Sequence, residues 1–238
     1  MNMIEFIKYC QNIIEQVKKN AWRLNKLTKE DINKDVLLLA KETNTSPMMV
    51  FRQKLKLLGF SKKSIKQILF NDVEKIPPFL KNDFLVAVYN DPVFSPFGMK
   101  FFDKLGIDGE NIIKEWLQYE GIKFKMDPRN GRLSIPDFLL EKPIIIFNHK
   151  IKWIESKCSY GDISTYNNHK SQFSKFDNLY GNNGCIVYWF GFVDEIKDDI
   201  HLFLSYKDIL ELVPKFLHPK IFDLINDVPE EFEYFFAP

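Results

Sequence analysis

The spacing of apolar residues changes once along this chain, near residue 108, and no other feature constrains the fold as much. Before that point the pattern is helical. Ile4, Ile7, Ile13, Ile14 and Val17 recur near helical spacing. Thr28 with Asp31 makes a capping-box-like frame that predicts a second helix running through Val36, Leu37 and Ala40. Ser46 as N-cap and Pro47 at the first helical position predict a helix over 48–58 that Gly59 stops. Ser61 is set to cap another over 62–70. Pro77-Pro78 breaks the run, and Asp91-Pro92 to Gly98 reads as a linker or domain edge. After residue 108 a helix over 110–120 carries Ile112, Ile113, Trp116 and Leu117 on one face and stops at Gly121. Strand signals follow at 124–126, 135–140, 144–148 and 150–157, with Pro128-Arg129-Asn130-Gly131 as a turn. A helix over 166–180 and a buried strand over 185–193 complete the pattern. Helices first, then strands joined through a helix, predict an α/β class with a central mixed sheet. The expected division is a helical domain over 1–98 and an α/β domain over 99–238.

Composition removes several function classes. A chain of 238 residues with 45% hydrophobic and 27% charged residues is neither disordered nor fibrous. The 23 phenylalanines are expected to fill cores. Three widely spaced cysteines, Cys10, Cys158 and Cys185, with no Cys-x-x-Cys, exclude a disulfide scaffold and a four-cysteine zinc site. The amphipathic N-terminus is unlike a signal peptide, and no stretch has the length and apolarity of a membrane span. An intracellular protein without a membrane partner is therefore expected, cytoplasmic or, in a eukaryote, nuclear. The net charge of +1 hides an asymmetry. Residues 1–98 hold 16 Lys and Arg against 10 Asp and Glu, residues 99–193 hold 13 against 11, and residues 194–238 hold 4 against 11. A basic first part suggests a polyanion partner. The helix, short turn and helix that carry Lys54, Lys56, Lys62, Lys63 and Lys66 resemble a helix-turn-helix and make these lysines candidate nucleic-acid contacts, although any small helical domain would show the same pattern. The acidic tail, with Phe232, Tyr234, Phe235 and Phe236, is expected to dock on the core.

Two short segments carry chemistry. Ile135-Pro136-Asp137 lies 18 residues before Glu155 of Trp153-Ile154-Glu155-Ser156-Lys157, enough for a strand, a turn and a return strand. Strand alternation places Glu155 and Lys157 on one face and Ser156 on the other. A hairpin would bring Asp137 beside Glu155, and two close carboxylates are costly unless a cation sits between them. Oxygen-only ligands suit Mg²⁺ or Mn²⁺. With Lys157 as a positive donor, these are the parts of a metal-assisted phosphodiesterase. A Glu/Lys pair on an exposed strand face is the simpler alternative.

Over 109–193 the arrangement resembles the PD-(D/E)xK nuclease superfamily, which implies a restriction-endonuclease-like α/β core. By that resemblance Asp137 and Glu155 are metal ligands, Lys157 is the catalytic lysine, and the Ser156 carbonyl adds a ligand. An acid from the preceding helix is also implied; Glu110 is favoured, with Glu115 next and Glu120 also in reach. Ser134-Ile135-Pro136-Asp137-Phe138-Leu139-Leu140, Trp153 through Asp162, and Tyr188-Trp189-Phe190-Gly191-Phe192 are further similar to the codanin-interacting nuclease family and its archaeal relatives. That family is named for a Thr-Pro-Asp motif. Here Ile135 replaces the threonine, Cys158 stands for a small residue and Tyr160 for phenylalanine. The resemblance implies supporting or substrate-contacting roles for Asp162, His169 and Gln172, although Asp162 as a loop cap and His169 as a surface hydrogen-bonder remain open. His149, His201 and His218 read as scattered, and Trp189 and Phe190 as core. The expected activity is Mg²⁺- or Mn²⁺-dependent endonucleolytic cleavage of DNA, branched or otherwise structured, with a homodimer by analogy to resolvases. The alternatives are a non-catalytic module on a nuclease fold that binds a protein partner, and an RNA-directed nuclease.

Overall fold

The computed structural model describes residues 2–126, 135–226, 228 and 232. The Pro128–Gly131 turn, Ser134, Tyr234, Phe235 and Phe236 lie outside the described residues. The chain divides into two compact units, one of Met1–Lys8 with Asp103–Val228 and the other built on Tyr9–Phe102. Among the described residues no helix is long and apolar enough to cross a membrane.

The second unit is helical. It takes most of α1 (Met3–Leu24), then α2 (Val36–Thr43), α3 (Pro47–Leu57), α4 (Lys62–Phe70) and α5 (Lys81–Tyr89). Local signals set the ends. The Ser46 hydroxyl accepts from the Met49 N–H at 3.4 Å and that of Ser61 from the Ser64 N–H at 3.1 Å. Beyond α3, Gly59 takes φ +93°, a conformation that favours glycine. The helix expected after Thr28 is divided. The Thr28–Asp31 capping box forms, but it opens only a 3₁₀ turn over Lys29–Asn33. Asp35 then caps α2 afresh, accepting from the Leu38 N–H at 2.8 Å. Val36, Leu39, Met48, Phe51, Leu55, Ile68, Leu80 and Ala87 make the shared core.

Two expectations change here. The stretch from Asp91 to Gly98, expected as a linker or domain edge, lies just before the division between the units at Phe102/Asp103 and is tied down rather than free. Asp91 is 1% exposed and its carboxylate accepts from the N–H groups of Met48 (3.1 Å), Val93 (3.1 Å) and Phe94 (2.7 Å). The Ser95 hydroxyl accepts from the Gly98 N–H at 3.1 Å, and α6 (Pro96–Tyr119) starts there and runs for 24 residues. Lys54 is not a nucleic-acid contact. It is fully buried, paired with Asp83 at 2.5 Å and donating to the Lys34 carbonyl. Its helical position points into the core, where an ammonium must find such partners. Lys56, Lys62, Lys63 and Lys66 are exposed.

The first unit carries a five-stranded sheet in the order β1 (Phe124–Met126), β2 (Phe138–Ile146), β3 (His149–Lys157), β4 (Gly184–Tyr188) and β5 (Leu202–Leu204). The first three strands are antiparallel, and β4 and β5 continue parallel to β3. α7 (Ile163–Tyr180) makes the crossover from β3 to β4 that a parallel pair requires. The two strands expected over 135–148 are one strand, whose register shifts between Leu139 and Ile144, where Pro143 removes a ladder donor. Phe147 (φ 44°) and Asn148 (φ 65°) make the two-residue turn into β3, as the right-handed strand twist favours. The expected strand over 185–193 ends at Tyr188. The acidic tail supplies β5, α8 (Tyr206–Leu212) and α9 (His218–Asn226).

Candidate active site

Register brings the carboxylates together. Phe138 pairs with Ile154, so Asp137, just ahead of β2, meets the end of β3. The Asp137 N–H donates to Glu155 Oε2 at 3.1 Å, and the Ser156 N–H donates to Asp137 Oδ2 at 2.8 Å. Lys157 follows Glu155 by two residues on the same strand face, and its Nζ lies 2.6 Å from Glu155 Oε1. α7 places Gln172 over both. Gln172 Nε2 donates to Glu155 Oε1 at 2.8 Å, and Gln172 Oε1 accepts from Lys157 Nζ at 3.0 Å. Glu155 is 2% exposed, so this closed ring of three side chains supplies the extra hydrogen bonds that a buried ion pair needs. The pair is therefore not an exposed one: Glu155 is buried and Lys157 half-buried.

Burial, and after it the Glu155 charge, pushes the Asp137 carboxyl up to about 8, against the opposing pull of Lys157 and the Ser156 N–H. Glu110 adds to the rise, so its charge reaches Asp137. Glu115 is engaged elsewhere, 2.6 Å from Lys220 on α9. The donor chemistry fits a hard cation: two neighbouring carboxylates, with the Ser156 carbonyl next to Glu155 in the chain. Among the described residues no group of three or more acidic, His or Cys side chains is placed to hold a metal ion. One or two carboxylates with positions left for water and phosphate is how Mg²⁺ is usually held.

Close packing seats α6 against Cys158 and Trp189. A Cβ on Gly109 would lie 2.6 Å from Trp189 Nε1 and 2.7 Å from Cys158 Sγ. Trp189 Nε1 donates to the Ser156 hydroxyl at 2.9 Å, and Cys158 Sγ donates to the Leu105 carbonyl at 3.0 Å. The helix therefore rests directly on the residues that follow Glu155. Gly109→Ala is expected to destabilise the protein by about 1–3 kcal/mol by overpacking, measured by urea unfolding. Adding Cys158→Ala should recover part of that loss. An unchanged midpoint in the single variant would contradict this packing.

The other expected residues are placed differently. Asp162 accepts from the Thr165 N–H at 2.7 Å and caps α7, so it supports Gln172 through the helix it starts. His169 stacks on Tyr188, with Nδ1 3.1 Å from Tyr188 Oη. Burial pushes the Tyr188 phenol upward. Trp189 is core, as expected, but it also holds Ser156, a role whose sequence signal is Gly109 inside a helix. His201, read as scattered, is buried with Nδ1 2.9 Å from Asp198 and Nε2 3.1 Å from Asp177. Tyr166 Oη donates to Asp198 at 3.0 Å. This cluster ties α7 to the segment before β5. Asp198 is three residues from His201, but Asp177 and Tyr166 lie 24 and 32 residues from their partners, a separation that left no pattern to read.

A family model described as "Protein of unknown function TPD sequence-motif" matches residues 78–207. The curated protein named CDAN1-interacting nuclease 1 of Xenopus tropicalis is 29% identical over 185 residues, 73% of this chain and 60% of that protein. Its namesake in Danio rerio is 30% identical over 175 residues, 68% and 57% of the two chains. The Homo sapiens protein of that name is 30% identical over 139 residues, 56% and 49%. The chain thus spans about 60% of the length of the first of these relatives and less of the other two. No solved structure gives a significant match.

Proposed function

The chain belongs to the TPD sequence-motif family, and from that premise we propose that it is a divalent-metal-dependent phosphodiesterase that cuts DNA. The observation that carries the reading is the ring of Glu155, Lys157 and Gln172 against Asp137, built around the buried Glu155 carboxylate. A carboxylate pair set in the protein interior beside a lysine held at two points is costly without a task. The name nuclease borne by the relatives agrees with that task.

In this reading Asp137, Glu155 and the Ser156 carbonyl hold Mg²⁺ or Mn²⁺. Such an ion, when bound, polarises a phosphoryl oxygen and acidifies a water. Gln172 and Glu155 orient Lys157 Nζ, which donates to the attacking water or to a non-bridging phosphoryl oxygen. Glu110 orients a water at the same place. Lys56, Lys62, Lys63 and Lys66 contact phosphates without reading sequence, so affinity falls with salt. The relatives' name speaks of an interaction with CDAN1, and a protein partner of that kind belongs to the proposal, as does action in a homodimer on branched DNA.

The test is a panel of duplex, single-stranded and branched DNA and of RNA with Mg²⁺ or Mn²⁺, comparing the parent with Asp137→Ala, Glu155→Ala and Lys157→Ala. Each variant is expected to lose about 10²–10³-fold or more in cleavage rate while remaining folded by circular dichroism. Undiminished cleavage by the purified variants, or no metal-dependent cleavage of any DNA by the parent, would overturn the assignment. Preferential cleavage of RNA would favour the RNA-directed alternative.

A further inference from the structure

Far along α1 from its first turns lies an aromatic side chain that the proposed chemistry does not use. Trp22 is 54% exposed, whereas Trp116, Trp153 and Trp189 are each 6% exposed or less. Tryptophan is among the more buried side chains on average, so a wet indole calls for a reason. Lys26 Nζ lies 4.5 Å from its ring centroid and Arg23 Cζ 5.5 Å. Lys18 and Lys19, one turn earlier, share its helix face by their spacing of four and three residues. Lys18 also reaches Glu15 at 3.2 Å. Beside the indole is a cavity of about 370 Å³ lined by Trp22, Arg23, Lys26, Leu27, Glu42 and Thr43.

We propose that this face binds single-stranded nucleic acid, with an unpaired base stacked on Trp22 and the flanking phosphates on Lys19, Arg23 and Lys26. An exposed ring among cations is the combination that non-specific single-strand binders use, because every base has a π face and every nucleotide carries a charge. The cations that now lie near the indole have phosphates to move to when a base takes the ring. Charge selects the occupant. Lysines and an arginine crowd one helix face, and Glu42 is the one acid in the lining. An acidic peptide would meet the charge but has no use for the ring, and a duplex keeps its bases stacked on one another. This inference goes beyond the carboxylate site and does not depend on metal.

The experiment uses the full chain with the Asp137→Ala substitution, in EDTA and at low salt, so that no cleavage intervenes. A twelve-residue oligothymidylate, an abasic strand of the same length and a blunt duplex are titrated against it while tryptophan emission is followed. Because the other three tryptophans are buried, quenching reports on Trp22. The oligothymidylate is expected to quench and to bind at least about tenfold more tightly than to a Trp22→Ala variant. Trp22→Phe, which keeps a ring, should recover part of that difference, and Lys26→Gln should reduce the salt dependence. The abasic strand is expected to bind weakly without quenching. Equal binding of thymidylate and abasic strands, equal quenching by the duplex, or a Trp22→Ala affinity equal to the parent's would each overturn the inference. If the parent chain cleaves no DNA but Trp22 is quenched as described, the proposed activity fails and this inference stands.

Discussion

Asp137→Asn is expected to melt at a higher temperature than the parent above about pH 8 in EDTA, and to lose the proposed cleavage by about 10²–10³-fold. Both effects have one cause. In the folded protein burial and Glu155 hold the Asp137 carboxyl up at about 8, against an ordinary value near 4 in an unfolded chain. A carboxyl raised in this way stabilises the fold only while it keeps its proton. Its contribution is complete below the unfolded value and is lost as pH rises through about 8. Asn carries no charge at any of these pH values, and its side-chain oxygen can still accept the Ser156 N–H that Asp137 Oδ2 now takes. The metal-free parent should therefore lose stability relative to the variant between about pH 4 and 8. Adding Mg²⁺ at pH 8 should raise the melting temperature of the parent and leave that of the variant unchanged. Parallel pH profiles for the two proteins would show that Asp137 is not under this load.

Lys54→Met is expected to destabilise the helical unit by about 3–5 kcal/mol, the usual result of breaking a buried ion pair from one side. The Lys54 ammonium has no exposure and serves both Asp83 and the Lys34 carbonyl. Methionine fills the same volume but leaves a carboxylate and a carbonyl without their donor. Guanidinium unfolding measures the loss. The double variant Lys54→Met/Asp83→Leu removes both charges and should recover much of it, because two packed apolar side chains replace a pair whose desolvation nearly cancels its attraction. A single variant as stable as the parent would mean that the pair is not buried in solution. At temperatures where the single variant is folded, its affinity for nucleic acid should match the parent's, since Lys54 presents no charge to solvent.

Particular residues show how far the sequence could be read. Ser46, Pro47, Gly59 and Ser61 each act within a turn of their own position, and the helices they bound stand where their spacing places them. Asp137, Glu155 and Lys157 were legible as a group because strand alternation and hairpin length are themselves local rules. Lys54 was misread for the same reason. A lysine in a basic helical pair looks solvated until Asp83, 29 residues away, is folded against it. Thr28 was legible as a cap, but the second cap at Asp35, which divides the expected helix into a 3₁₀ turn and α2, was not.

By itself the sequence determined the class of the fold, the change from helical to alternating spacing, the ends of most elements and that Asp137, Glu155 and Lys157 would stand together. Tertiary structure alone decided that α6 could rest on Trp189 and Cys158 through Gly109, that Gln172 would close the ring on Lys157 and Glu155, and that His201 would stand between Asp177 and Asp198. The physical reason is range. Capping, turns and alternation depend on a few neighbouring residues, whereas burial and the partner of each charge depend on which distant segments pack together, and no spacing along the chain records that.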